Sequence, residues 1–161
     1  MTGKQCAMIF LAGGLAVLAG CTGGGETADV DRPLVVGCDT NFMPFEFRED
    51  GEYKGFDIDL WDAIATELGR EYELQAMDFN GLIPALQTGS MDVALAGMTI
   101  KSEREKVVDF AYPYYDAGLL LMVRAENTDI QGVEDLDDKV VATKLGTTSA
   151  DFAKAVKPGD I

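Results

Sequence analysis

Residues 57–68 read Asp-Ile-Asp-Leu-Trp-Asp-Ala-Ile-Ala-Thr-Glu-Leu, and their spacing predicts an amphipathic helix. Ile58, Trp61, Ala65 and Leu68 fall on one stripe with Leu60 and Ile64 beside it, while Asp57, Asp59, Asp62, Thr66 and Glu67 are expected to face away. The early acids suit the positive end of the helix dipole, and Gly69 supplies a stop. Just upstream, residues 34–38 (Leu-Val-Val-Gly-Cys) form a short apolar run suited to a buried strand, entered through Pro33. Between that strand and the helix lie an aromatic-bearing stretch at 39–47, expected as a loop, and a turn signal at 49–52. Downstream, residues 71–77 alternate polar and apolar as a half-exposed strand would. Residues 82–87 suit a short helix in which Pro84 is tolerable only near the start, and 92–96 suit another buried strand. Alternating strand and helix predicts an α/β fold with parallel strands.

Beyond this unit, Ser102 and Glu105 have the spacing of a capping box, and Tyr112-Pro113-Tyr114-Tyr115 breaks the pattern. Residues 119–124 and 139–144 are expected as strands, 133–136 as a helical turn, and 147–156 as a helix capped by Thr147 or Thr148.

Composition narrows the partners. The 161 residues are 47% hydrophobic, enough for one ordinary core and too apolar for a disordered chain. Against 28 Asp+Glu stand 13 Lys+Arg, a net charge of −15 that disfavours nucleic acid. A well-solvated surface and a high-salt habitat both fit that charge. With no His, His-based catalysis and most zinc sites are excluded, and no metal or cofactor is expected. Of three cysteines, Cys6 and Cys21 lie in or at the end of an apolar leader, so Cys38 is expected as a lone buried thiol behaving as a small hydrophobe.

That leader, residues 1–20, carries Lys4 and then about 14 apolar or small residues, too short to span a bilayer and suited to a cleaved export signal. Leu18-Ala19-Gly20-Cys21 resembles the lipobox of prokaryotic lipoproteins, which implies lipid attachment at Cys21. Each buried lipid CH₂ would contribute about 0.8 kcal/mol of membrane affinity. Residues 21–33 then read as a flexible, lipid-anchored tether.

The blocks Gly55-Phe56-Asp57-Ile58-Asp59-Leu60-Trp61, residues 78–87 (DFNGLIPALQ) and residues 94–100 (ALAGMTI), with Glu103-Arg104 and Asp109-Phe110, resemble the type 3 family of extracellular solute-binding proteins, nearest to its glutamine binders. The resemblance implies a two-lobed, periplasmic-binding-protein-like α/β fold of type II. It further implies a cleft for a polar amino acid, importer membrane subunits as partners, a monomer, and an outer-face location. Residues 34–115 would belong to the first lobe, and 116–161 to the hinge crossing and the start of the second. The family pattern runs on past Ile161, so the chain is expected to be C-terminally truncated. Dehydratases acting on cyclohexadienyl acids share the fold, and a sensor module is a third possibility; the expectation is a binding protein and not an enzyme.

Physical chemistry gives each candidate a role. A buried zwitterion needs partners for both charges. Arg104 suits the carboxylate, because its planar fork makes paired charge-assisted bonds, although an exposed arginine between Glu103 and Glu105 fits the same residues. Ala96, Gly97 and Thr99 follow a strand, where open α/β sheets bind ligands; a plain tight turn is the alternative. By resemblance, Phe42 and Phe79 sandwich the ligand's aliphatic part, though lone aromatics in loops also serve as core. Asp39 and Lys144 resemble the pair that reads a side-chain amide, with a surface ion pair as the plainer reading, and Lys144 disfavours a cationic ligand. Thr148 stands where the family's glutamine binders usually carry Gly, and its N–H remains available at a helix N-terminus.

Overall fold

The computed structural model describes residues 32–156, so the leader, Cys21 and most of the tether lie outside the described residues. Strand β1 (Leu34–Cys38) sits between β5 (Tyr72–Ala76) and β6 (Val93–Ala94), parallel to both, with Val36 opposite Leu74 and Val93. Strands β2 (Asn41–Phe42), β3 (Glu46–Glu49) and β4 (Glu52–Lys54) form a separate antiparallel sheet. Helix α1 (Phe56–Leu68) joins β4 to β5, and α2 (Phe79–Gln87) joins β5 to β6. Then follow α3 (Ser102–Glu105), a 3₁₀ turn (Val133–Asp135) and α4 (Thr148–Val156).

Successive residues of β1 point to opposite faces, and each face has its own core. On the α1 side, Val36 packs with Trp61 and Ala65, joined by Leu34, Leu74 and Val93. On the other, Leu82, Ala85, Met91 and Ala96 pack together with Val35 and Met77. Gly37 belongs to this second face, where an added Cβ would lie 2.2 Å from Met91 Sδ and 2.9 Å from a Leu82 methyl. The sheet is thus covered on both faces, as parallel strands require. Cys38 is free and fully buried.

Several expectations are corrected. The stretch at 39–47 is not a plain loop: it holds β2 and the start of β3. The turn at Asp50-Gly51, with φ of 53° and 87°, closes the β3–β4 hairpin in the manner of a type I′ turn. Asp57 does not face away from α1; it is fully buried. Leu68, assigned to the apolar stripe, is largely exposed. Gly69 ends α1 as expected, at φ 61°, with its N–H and that of Arg70 bonded to Thr66 and Ala65 carbonyls. Helix α2 begins at Phe79, three residues before the apolar run suggests, so Pro84 lies inside it. The strand predicted at 92–96 is observed as Val93–Ala94, flanked by the Asp92 and Leu95 N–H groups, which still donate to the Val35 and Gly37 carbonyls; the Asp92 carboxylate accepts from the Val35 N–H and from Arg32. The Ser102 capping box does not form; Lys101 is the N-cap and Ser102 is already helical. Thr147 caps α4, its hydroxyl accepting from the Ala150 N–H at 3.2 Å.

The strands expected at 119–124 and 139–144 are absent. A strand exists only through its hydrogen-bonded neighbour, and among the described residues neither segment has one. The extended habit nevertheless survives at 120–123, where exposure alternates: Leu120 and Met122 are 98% and 94% exposed, Leu121 and Val123 42% and 39%. No helix among the described residues is long and apolar enough to cross a membrane.

Candidate functional site

The candidate residues gather at the carboxyl ends of the parallel strands. Asp39 directly follows β1, Phe79 opens α2 three residues after β5 closes at Ala76, and Ala96 and Gly97 follow β6. Open α/β sheets place ligands at this edge, because strand ends and helix starts leave backbone groups unpaired there.

Gly97 adopts φ 51°, a conformation that favours glycine, and the Phe42 ring lies against it: an added Cβ would stand 2.7 Å from Phe42 Cε1. Phe42 is half-exposed and stacks on Phe45 with ring centroids 5.1 Å apart; Phe45 in turn meets Tyr115 edge-on at 4.9 Å. An aromatic shelf therefore overhangs the Gly97 turn. Ala96, offered by the sequence as a ligand contact, is buried in the core with Leu82, Ala85 and Met91.

Arg104 is not an exposed surface arginine, which settles one alternative left open above. It is 5% exposed, and its guanidinium donates to the Thr99 carbonyl at 2.7 Å and the Gly146 carbonyl at 2.9 Å. The guanidinium carbon lies 5.5 Å from the Phe79 ring centroid. Burial pulls its pKa down, with the Asp151 charge opposing. Asp151 itself is ion-paired to Lys101. Among the described residues no carboxylate forms an ion pair with Arg104, so a buried fork with five donors is held by two neutral acceptors. The arrangement is suited to receive an anion.

Lys144 and Asp39 form an ion pair across 105 residues of sequence. Asp39 is buried and also accepts the Asn41 N–H at 3.2 Å, while Lys144 remains partly exposed. The plainer surface-pair reading therefore fails for the carboxylate partner. The Lys144–Thr148 segment comes to the same place: Gly146 packs against Asn80, and an added Cβ there would approach Asn80 Cβ to 3.0 Å. Thr148 opens α4 with its hydroxyl oxygen buried and without a partner among the described residues.

The structure thus brings Phe42 to Gly97, Asp39 to Lys144, and Arg104 to Phe79, Thr99 and Gly146. Sequence reasoning missed Gly146, Asp57, Glu46 and Tyr114. Asp57 Oδ2 accepts the Gly97 N–H at 3.0 Å and the Tyr114 hydroxyl at 3.0 Å. Its place in the first helical turn gave an adequate surface explanation, which masked the buried one. The interrupted stripe, in which 57 precedes Ile58 and Trp61 on the inward side, was the available signal. Elsewhere, a hollow of about 520 Å³ lined by Asp62, Arg70 and Tyr72 shares no residue with this group.

Comparisons with known proteins point the same way. Residues 34–160 match the profile of bacterial extracellular solute-binding proteins, family 3. The arginine-binding extracellular protein ArtP of Bacillus subtilis (strain 168) is 39% identical over 127 residues, covering 79% of this chain and 49% of ArtP. The glutamine-binding protein GlnH of an ABC transporter in the same organism is 40% identical over 116 residues, 69% of this chain and 42% of GlnH. Among solved structures, the ancestral amino acid-binding protein AncCDT-1, described as a precursor of cyclohexadienyl dehydratase, superposes with a TM-score of 0.74 at 47% identity, covering 78% of this chain and 57% of that one. The chain spans about half the length of the curated relatives it matches. On the strand-end site and on a match that begins at the first residue of β1, this chain belongs to the bacterial extracellular solute-binding proteins, family 3.

Proposed function

We propose that this chain supplies the first lobe and the start of the second in an exported, lipid-anchored protein that captures a polar amino acid and delivers it to an ABC importer. The observation that carries this reading is Arg104: a buried guanidinium, seated on two carbonyls beside the Gly97 turn, is a costly feature without an anion to receive. The ligand's carboxylate meets Arg104, its ammonium meets the Gly97 turn and Thr99, and its aliphatic part lies between Phe42 and Phe79. The Asp39–Lys144 pair reads the far end of the side chain. A pair with one donor and one acceptor suits a terminal amide, so glutamine is the favoured ligand. A relative named for glutamine accords with that pocket chemistry, whereas one named for arginine would need a pocket in which Lys144 does not face the ligand's cation. Cys21 carries the lipid, residues 1–20 direct export, and the protein acts as a monomer on the outer face of the membrane.

A thermal-shift screen of the twenty amino acids on the intact gene product tests this. Glutamine should raise the midpoint most, and a screen in which no free amino acid moves it would end the proposal. A second reading, dehydratase chemistry, is favoured by the likeness to a dehydratase precursor. It predicts phenylpyruvate formation, which the capture reading predicts to be absent.

A further inference from the structure

Glu46 opens β3 and Asp57 lies in the first turn of α1; both are fully buried. Neither Glu46 oxygen has a donor among the described residues, and neither does Asp57 Oδ1, although the backbone brings the two residues together: the Asp57 N–H donates at 2.8 Å to the carbonyl of Phe45, the residue before Glu46. Asp57 Oδ2, in contrast, is fully used by the Gly97 N–H and the Tyr114 hydroxyl. Two adjacent carboxylates cannot both stay ionised out of water, and a single proton between them turns two orphaned acceptors into a donor–acceptor bond.

We propose that Glu46 and Asp57 share one proton inside the fold and together hold the Gly97 turn in its ligand-facing position. The positioning role rests on reading that turn as part of the amino-acid site.

The surroundings favour this. From β1 and the residue after it, the Cys38 thiol and the Asp39 carboxylate face Glu46; Asp57 faces it from α1, Tyr114 from the segment after α3, and Lys144 from the segment before α4. Only Lys144 draws the proton off. Burial, the hydrogen bond to Asp57 and the charges of Asp57 and Asp39 push the Glu46 carboxyl up to about 10. Burial, followed by the Asp57 charge, likewise pushes the Tyr114 hydroxyl up, so it remains a donor. A proton on the Glu46 side gives Asp57 Oδ1 a donor and leaves Oδ2 to the Gly97 N–H and the Tyr114 hydroxyl. The same oxygen holds Tyr114, so the ligand turn and the segment leaving for the second lobe are fastened at one point.

The sign of the pH dependence follows. A carboxyl held neutral in the fold contributes most below its ordinary pKa, and that contribution is lost as pH rises towards about 10, because unfolding then releases a proton.

Carbon-detected NMR on the intact gene product, with glutamate carboxyl carbons labelled, tests both halves of the proposal. One glutamate should titrate near pH 10 and its signal should vanish in Glu46→Gln. The Gly97 nitrogen shift should follow the same titration in the wild type and become independent of pH in Glu46→Gln, where the side-chain amide replaces the acid as donor. If every glutamate titrates in the ordinary range, the shared proton is overturned; if the Gly97 shift ignores the Glu46 titration, the positioning role is overturned. The wild-type titration stands even if the variant fails to fold. No amino-acid ligand enters these measurements, so a failed capture screen leaves them standing, and their failure leaves capture untouched.

Discussion

Two carboxylates near the site differ in how they are satisfied. Asp39 is buried but has the Lys144 ammonium and the Asn41 N–H, whereas Asp57 is buried among neutral donors and the Glu46 acid. Lys144 is therefore more than a surface charge: it neutralises a carboxylate that water cannot reach. Replacing it should reverse the preference of the pocket. In Lys144→Glu, the Asp39 carboxylate loses its partner and gains a like charge, so a ligand bringing its own cation becomes the better fit. A calorimetric panel should then rank arginine or lysine above glutamine, and an unchanged ranking would remove Lys144 from the specificity argument. Individual roles of this kind were legible mainly through the neighbouring sequence blocks. Arg104 alone reads as an exposed arginine between Glu103 and Glu105, and only the 96–99 context marked it out; Asp57 had no such context, since one more acid in a helix's first turn looks ordinary.

At the scale of elements, periodicity was a good guide where the element is local and a poor one where it is a relation. Helix α1 depends on its own stripe and its own stop, and the sequence reading placed it within one residue. The segments at 119–124 and 139–144 have strand composition, but composition supplies no partner. The β3–β4 hairpin shows the converse error. Its turn residues were legible, yet the flanking Glu46–Glu49 and Glu52–Lys54 are too polar to advertise a ladder. Strand β1 is the element on which both cores depend, and Gly37 is its tightest point. Gly37→Ala should destabilise the fold by about 1–3 kcal/mol, the usual cost of overpacking, because Met91 and Leu82 must move to admit a methyl. Urea unfolding measures this, and a midpoint equal to the wild type would show that this face has room to spare.

For the molecule as a whole, the parallel sheet with a helix-side core on each face accounts for where the site sits. Three strand ends deliver Asp39, Phe79 and Gly97 to one edge, and residues from 99 to 148 close over them. The α/β class was readable from alternating elements, since that pattern is set by local hydrophobic spacing. Contacts between Arg104 and Gly146, or Asp39 and Lys144, were not readable from spacing, since they join residues 42 and 105 apart. The net charge of −15 agrees with a small zwitterion rather than a polyanion as ligand, and the buried guanidinium is the local exception to that field. The most direct test is therefore calorimetry of the preferred amino acid from the screen against the wild-type gene product and its folded Arg104→Ala variant. Loss of a buried charged hydrogen-bond partner should weaken binding by about 2 kcal/mol or more. Equal affinities in the two proteins would contradict the assignment of the guanidinium to the ligand's carboxylate.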